Sequence, residues 1–436
     1  MGSVTSRPRR AAAFALVASF ALAAPVLGRV AAVPFALVAA AAFATDDGPL
    51  FDLFARPGDR QAGRLAGLVS FALAATGLAV LTTLADLPTS VFVGSVLLVG
   101  YGNLGAELAR AWRPLDIVTT TGFAVFAFVG AALGQVAAPL LSGAPLPSLA
   151  TVAFFAASGA LLGALVRAVF FTREDPLVLL SVALLLWWFS DLGVATTPTA
   201  IAGALVVTVG FGYLSWALKT ASIPGMLTGV FLSLLTIVLG DYRWFAVLIA
   251  FFALGGLSSK FRYGRKAERG VAEAQGGARG SGNVLGNSAA ATVAVALYAA
   301  SGGLSVAGSV FLYAFAGSVA TALADTLSSE VGCLFDSPRL ITTLDPVAPG
   351  TDGAVTWQGE LAGLAGAVLI AGLSGWLFSL SLLGLGAIAV AGLVGMTADS
   401  LLGAIVEGGL VGNQTVNFLA TSLGAVCGGA LALLVL

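Results

Sequence analysis

The stretch Gly303–Gly332, GLSVAGSVFLYAFAGSVATALADTLSSEVG, divides at Ala324. No charged residue precedes that point, whereas Asp325, Thr326, Ser328, Ser329 and Glu330 crowd into the six positions after it. A helix needs about 20 apolar residues to cross the hydrocarbon of a bilayer, so the first part is long enough to span and the second lies at its end. Only helices and closed barrels satisfy their backbone in lipid. The run is continuous rather than alternating, which selects the helix.

The same reading extends over the chain. Comparable runs cover approximately 11–27, 30–45, 65–84, 88–106, 115–140, 148–170, 176–190, 196–217, 221–239, 242–258, 283–300, 303–323, 361–382, 384–405 and 415–436. They predict an all-α, polytopic integral membrane helical bundle of about fifteen transmembrane helices. Composition agrees: 58% of the 436 residues are hydrophobic and 9% are charged, against about 25% charged in soluble domains. Residues 1–27 join RPRR to an apolar stretch and small residues, as a signal peptide does. The next run follows at once, so a first membrane helix is the reading adopted.

Histidine is absent and the two cysteines are Cys333 and Cys427. That excludes histidine general bases and a disulfide framework, leaving carboxylates, hydroxyls, amides and cations for any chemistry. The formal net charge of −1 gives no sign of a nucleic-acid partner, and none is expected. Cations concentrate in alternate loops, as the positive-inside rule requires of cytoplasmic ones. From Arg7, Arg9 and Arg10 the series runs through Arg56, Arg60 and Arg64, then Arg110 and Arg113, Arg167 and Arg173, and Lys219, with Arg29 and Arg243 as exceptions. The expected location is the cell membrane, multi-pass, with the N-terminus and the polar loops described next on the cytoplasmic side. A break at 259–281 separates ten runs from five, but the functional boundary is placed earlier, giving regions 1–190 and 191–436.

Four polar stretches carry the candidate chemistry. SSKFRYGRKAERGVAEAQGGARGSGNVLGNS (258–288) holds Lys260, Arg262, Arg265, Lys266, Arg269 and Arg279 among seven glycines, then Asn283 and Asn287 one turn apart. Cations and glycines before a helix N-terminus suit a phosphate, although an ordinary positive loop has the same look. In ADTLSSEVG, Asp325 and Ser329 share a helix face, and Asp325 and Glu330 would share a divalent ion through a loop break at the membrane surface. A solvated helix end is the plain alternative. SPRLITTLDPVAPGTDGAVTWQGELAG (337–363) reads as a turn offering Asp345, Thr351, Asp352, Gly353 and open amides ahead of Gly359 and Glu360; it is otherwise a tight interhelical connection. TADSLLGA (397–404) places Asp399 deep in an apolar run, which is expensive unless it is paired, wetted or metal-bound. In GNQTVNFLA (412–420), Asn413 and Asn417 repeat the earlier asparagine spacing. These two stretches would otherwise only glue helices. All four fall on one predicted face. Acids for a metal, cations for phosphates and a membrane setting together point to phosphoryl transfer to a lipid.

The motifs ADTLSSEVG, SPRLITT, PGTDGAVT, ADSLLGA and NQTVNFLA, in this order over roughly 200–436, resemble the domain-of-unknown-function 92 family. That family includes the transmembrane protein nineteen group and the phytyl-phosphate kinases of plants and cyanobacteria. The first motif departs from the family form in having Ala324 for a glycine. The resemblance implies a kinase that converts a prenyl monophosphate, phytyl or geranylgeranyl, to its diphosphate with CTP or another nucleoside triphosphate and Mg2+. Asp325, Glu330, Asp352 and Asp399 would then be the catalytic acids, with Asp325 and Glu330 holding the metal. Arg262, Arg265, Lys266, Arg269, Arg279, Asn283, Asn287, Ser329, Thr351, Gly353, Asn413 and Asn417 would bind substrate and nucleotide, and the prenyl chain would lie between helices among membrane lipids. YGNLGAELAR (101–110), TTTGFAVFAFVGA (119–131) and REDPLVLLSVALLL (173–186) look like worn phytol- and dolichol-kinase signatures, with Asn103 where an aspartate would stand. This suggests two related halves, Asn103 corresponding to Asp325. The competing functions are a multi-helix transporter or lipid flippase and a CTP-dependent lipid cytidylyltransferase.

Overall fold

A computed structural model describes residues 6–170, 175–194, 197–218, 221–272, 280–406 and 411–435. Among them thirteen helices are long and apolar enough to cross a membrane. Each of the fifteen apolar runs forms a helix, and two of these are short: Val33–Phe43 has eleven residues and Asp175–Asp191 has seventeen. At 1.5 Å per residue, eleven residues reach only about 16 Å of the roughly 30 Å hydrocarbon. The expected count of fifteen therefore becomes thirteen spans plus two shorter helices. The chain divides into two compact units, Met1–Gly203 and Ala204–Leu436.

The first unit holds the Arg7–Val30 span and helices α1 (Ala66–Leu84), α2 (Thr89–Trp112), α3 (Asp116–Ser142), α4 (Leu149–Phe170) and α5 (Asp175–Asp191). Helices α2 and α3 form its closest pair. A Cβ placed on Gly105 would lie 2.3 Å from the carbonyl oxygen of Gly122. Lipid tails are as apolar as leucine, so helices in a bilayer associate by such close packing of small residues rather than by burying apolar surface.

The second unit contains α6 (Ile223–Leu235), α7 (Tyr242–Lys260), α8 (Ser281–Ala300), α9 (Gly308–Gly332), α10 (Trp357–Phe378), α11 (Leu382–Val406) and α12 (Asn413–Val435). A π-helical turn, Thr236–Gly240, extends α6. Trp244 on α7 is buried against Tyr298, Phe315 and Phe378, with ring centroids 4.6, 4.8 and 5.7 Å away. It ties α8, α9 and α10 together near one end of the unit.

Between α9 and α10 the chain forms a two-stranded antiparallel hairpin, β1 (Arg339–Leu340) and β2 (Ala354–Val355), with Arg339 opposite Val355. The PGTDG segment lies in its connection, as the Pro, Gly and Asp content predicts. Thr356 then caps α10, its hydroxyl accepting from the Gly359 amide at 3.1 Å.

Candidate functional site

Helices α9 and α11 run parallel in a fixed register. A Cβ on Gly317 would meet Ala391, and one on Gly395 would fall 2.2 Å from the Thr321 hydroxyl. One turn further along both helices, the same register brings Asp325 level with Asp399, both half-buried. Two acids far apart in the chain, ADT and ADS in sequence, thus occupy matching positions on neighbouring helices. Among the described residues no three His, Cys, Asp or Glu groups gather as a metal cluster. Magnesium takes one or two carboxylates and completes its shell with water and phosphate oxygens, so this pair of acids fits its requirement.

Helix α12 joins the pair from the side. With the Asn417 amide oriented by its surroundings, its Nδ2 donates to Asp399 Oδ1 at 3.2 Å and to the Asn413 carbonyl at 3.2 Å. Its Oδ1 accepts from Asn287 Nδ2, also at 3.2 Å. Asn287 donates in turn to the Asn283 carbonyl at 2.9 Å. The two asparagine pairs noted in sequence are therefore partners across α8 and α12. Glycine makes this approach possible: a Cβ on Gly282 would lie 2.2 Å from Gln414 Oε1, and one on Gly286 would lie 2.7 Å from the Gln414 carbonyl. Thr421 adds a bond from its hydroxyl to the Gly286 carbonyl at 3.1 Å. The buried Asn283 Oδ1 has no hydrogen-bond partner among the described residues, an acceptor suited to an amino group or a metal-bound water.

The cations separate into two groups. Lys266 is buried, with 1% of its side chain exposed; its ammonium pairs with Glu330 and donates to the Ser258 carbonyl at 2.8 Å. Arg269 donates to the carbonyls of Leu334 (3.4 Å) and Phe335 (3.0 Å) and pairs with Asp336 at 2.9 Å. Both therefore anchor the segment after α7 to the end of α9. Arg262 and Arg265 are exposed, and Arg262 lies over the Phe261 ring, 5.3 Å from its centroid. Arg279 lies outside the described residues. The loop break expected between Asp325 and Glu330 does not occur, because α9 is continuous through Gly332. Five residues of helix turn the two acids roughly 140° apart, and Glu330 faces Lys266.

Asp345, Thr351 and Asp352 are exposed on the hairpin connection, and Ser329 is exposed at the end of α9, its hydroxyl donating to the Thr326 carbonyl at 3.1 Å. Gly353, at φ +73°, lies against α11: a Cβ there would be 2.5 Å from Ala404 Cβ and 2.6 Å from the Ser400 carbonyl. Gly350 approaches Val271 in the same way, at 2.8 Å. Asn413 is exposed at the start of α12. The hairpin, the Arg269 segment and the facing ends of α8, α9, α11 and α12 thus make one polar face over Asp325 and Asp399. Sequence reading missed Thr321, Gly395, Gly424 and Gln414. The available signal was small residues spaced four apart, at Gly282 and Gly286 and at Ala391 and Gly395.

In the first unit Asn103 donates to Asp175 Oδ1 at 3.0 Å and accepts from Arg167. Asp175 also pairs with Arg56 and, at 3.5 Å, with Arg167, which lies 4.7 Å from the centroid of Phe123. The buried Asp175 carboxylate is thus held by two arginines and an amide, each of them half-buried.

The model of the family described as integral membrane protein DUF92 matches residues 206–425, nearly the span of the second unit. An uncharacterized membrane protein of Methanocaldococcus jannaschii is 38% identical over 196 residues, covering 43% of this chain and 75% of that protein. The protein VTE6, chloroplastic, of Arabidopsis thaliana is 28% identical over 201 residues, covering 43% of this chain and 60% of that protein. Protein PGR of the same plant is 32% identical over 226 residues, covering 47% and 78%. No solved structure matches. Match and motifs fall on the same helices, and the chain belongs to the DUF92 family of integral membrane proteins.

Proposed function

We propose that the second unit transfers a phosphoryl group from CTP or another nucleoside triphosphate to a prenyl monophosphate. The observation that carries this reading is the convergence of Asp325, Asp399, Asn417 and Asn287 from four helices beneath a face bearing the exposed Arg262 and Arg265. The resemblance of the motifs to those of phytyl-phosphate kinases supports the acceptor, and the alternation of cationic loops supports a cytoplasmic position for the face.

In this reading a prenyl-phosphate oxygen forms a bond to the γ-phosphorus while the bond from that phosphorus to the β,γ-bridging oxygen breaks, releasing the nucleoside diphosphate. A phosphate monoester is already largely ionised at pH 7, its second pKa being about 6. No general base is needed, in keeping with the absence of histidine. A bound magnesium would supply neutralisation of the charge on the phosphates. Asp325 and Asp399 would hold it, Asn417 would fix the Asp399 carboxylate, and Arg262 and Arg265 would receive the triphosphate. The Thr351–Gly353 turn closes over the phosphates from the hairpin, with Asp352 beside them. Lys266 and Glu330 position the loop rather than touch substrate.

The test supplies γ-labelled CTP, magnesium and geranylgeranyl phosphate to membranes containing the protein. Labelled diphosphate is expected from wild type and none from Asp325→Asn present at equal abundance. Label transferred from the α position instead would mean cytidylyl transfer. No transfer from any nucleoside triphosphate would overturn the proposal.

A further inference from the structure

A cleft of about 460 Å³ opens in the second unit between the Pro198–Ala217 helix, α6 and α7. This volume is within the 300–1,000 Å³ common for small-molecule sites. Its wall is apolar, with Phe211, Met226 and Phe252 prominent, and it meets α8 at Val284, between Asn283 and Asn287. Lys260, exposed at the C-terminal end of α7, is the charged residue among those lining it. Along α7 the lining runs from Ile249 to Lys260, which at 1.5 Å per residue is about 16 Å of helix. The cleft is thus an elongated apolar slot with a cation at one end and the asparagine pair of the polar face beside it.

We infer that this cleft holds the chain of a single-chain isoprenoid phosphate, with Lys260 at its mouth to meet the phosphate. The inference rests on the proposed function for the identity of the headgroup. The apolar slot extracts the chain from the surrounding lipid only if shape favours it, and two features supply shape. Phe211 and Phe252 offer flat ring surfaces to unsaturated, methyl-branched carbons. Gly256 leaves the slot open where it passes α7, since a Cβ there would meet nothing within 4 Å. The ammonium of Lys260 complements a phosphate, and its position next to α8 delivers that phosphate toward Asn283 rather than to the opposite membrane surface.

The open space at Gly256 makes the test direct. The full chain, purified in detergent, is titrated with radiolabelled geranylgeranyl phosphate without nucleotide or magnesium. A Gly256→Phe variant places a ring in the slot without a backbone clash and replaces a weak helix former, so it is expected to fold and to bind the probe at least about tenfold more weakly. Gly256→Ala is expected to bind within about twofold of wild type. Lys260→Gln should weaken binding of the phosphate while leaving that of free geranylgeraniol unchanged. Wild-type affinity in a folded Gly256→Phe variant would overturn the assignment. So would displacement of the probe by dioleoyl phosphatidic acid as readily as by unlabelled prenyl phosphate, since the cleft would then be a general lipid crevice. Binding that obeys these expectations, with no phosphoryl transfer in membranes, would uphold the slot and defeat the kinase. Transfer unaffected by Gly256→Phe would do the reverse.

Discussion

Replacing Gly424 by alanine probes the packing that aligns the acidic pair. The new Cβ would lie 2.0 Å from Thr321 Oγ1, 3.0 Å from the Gly317 carbonyl and 3.1 Å from Thr321 Cβ. Thr321 has no room to yield: it is fully buried, its hydroxyl donates to the carbonyls of Gly317 (3.0 Å) and Ala391 (3.3 Å), and Gly395 closes the opposite side. Overpacking of this kind costs about 1–3 kcal/mol, and displacing the hydroxyl adds about 1 kcal/mol for its bonds. For a unit of this size each kcal/mol lowers the melting temperature by about 2–4 °C, so the total of about 2–4 kcal/mol predicts a fall of roughly 4–16 °C. The assay heats detergent-solubilised protein and follows the monodisperse fraction by size-exclusion chromatography. Gly429→Ala on the same helix is the control, because its Cβ would come no closer than 3.5 Å to any neighbour. Adding Thr321→Ala to Gly424→Ala should restore part of the loss, a coupling that independent sites would not display. If Gly424→Ala melts with its control, α9, α11 and α12 do not meet around Thr321, and the alignment of Asp325 with Asp399 loses its basis.

Other outcomes follow from the remaining contacts. Lys266→Met strands Glu330, whose side chain is only 12% exposed, and should destabilise by about 3 kcal/mol; adding Glu330→Leu should recover most of it in the same thermal assay. Asn103→Ala is expected to leave phosphoryl transfer largely intact, because Asn103 bonds to Asp175 and Arg167 rather than facing a ligand; a large loss in the transfer assay would mean that the first unit takes part. Burial pushes the Cys333 thiol above its ordinary value, with Glu330 adding to the rise and Lys266 and Arg269 opposing it. Since the thiolate is the nucleophile, maleimide labelling of Cys333 in a Cys427→Ala background should be slow at neutral pH. It should quicken as pH rises beyond the point where a free thiol has already reached its plateau.

Each apolar run found in sequence is a helix, because a stretch without charge in lipid has few other ways to satisfy its backbone. The turn at PGTDG was equally legible, being local, whereas the helix after it begins at Trp357, four residues ahead of the apolar run expected from 361. Asn283 with Asn287, and Asn413 with Asn417, could be recognised as pairs but not as partners of one another, since 130 residues separate the two pairs. Lys266 looked like one cation among six in a positive loop, and only the fold turns it inward to Glu330. The crossing at Thr321, Gly395 and Gly424 left no trace in hydrophobicity, because helix neighbours and lipid are equally apolar and the contact depends on missing side chains.

The bond between Asn417 and Asp399 bears on how the protein enters the membrane. An aspartate at the centre of a membrane helix opposes insertion by about 2.5–3.5 kcal/mol on a translocon scale, and α11 carries Asp399 in its C-terminal third, where part of that cost remains. Helix α12 brings an amide to that carboxylate at 3.2 Å. The two helices therefore gain by leaving the translocon as a hairpin, the amide of one shielding the acid of the other during passage. A variant lacking Asn417 would then fail first in biogenesis, as molecules degraded before assembly, and only afterwards, in those that survive, as a defective site.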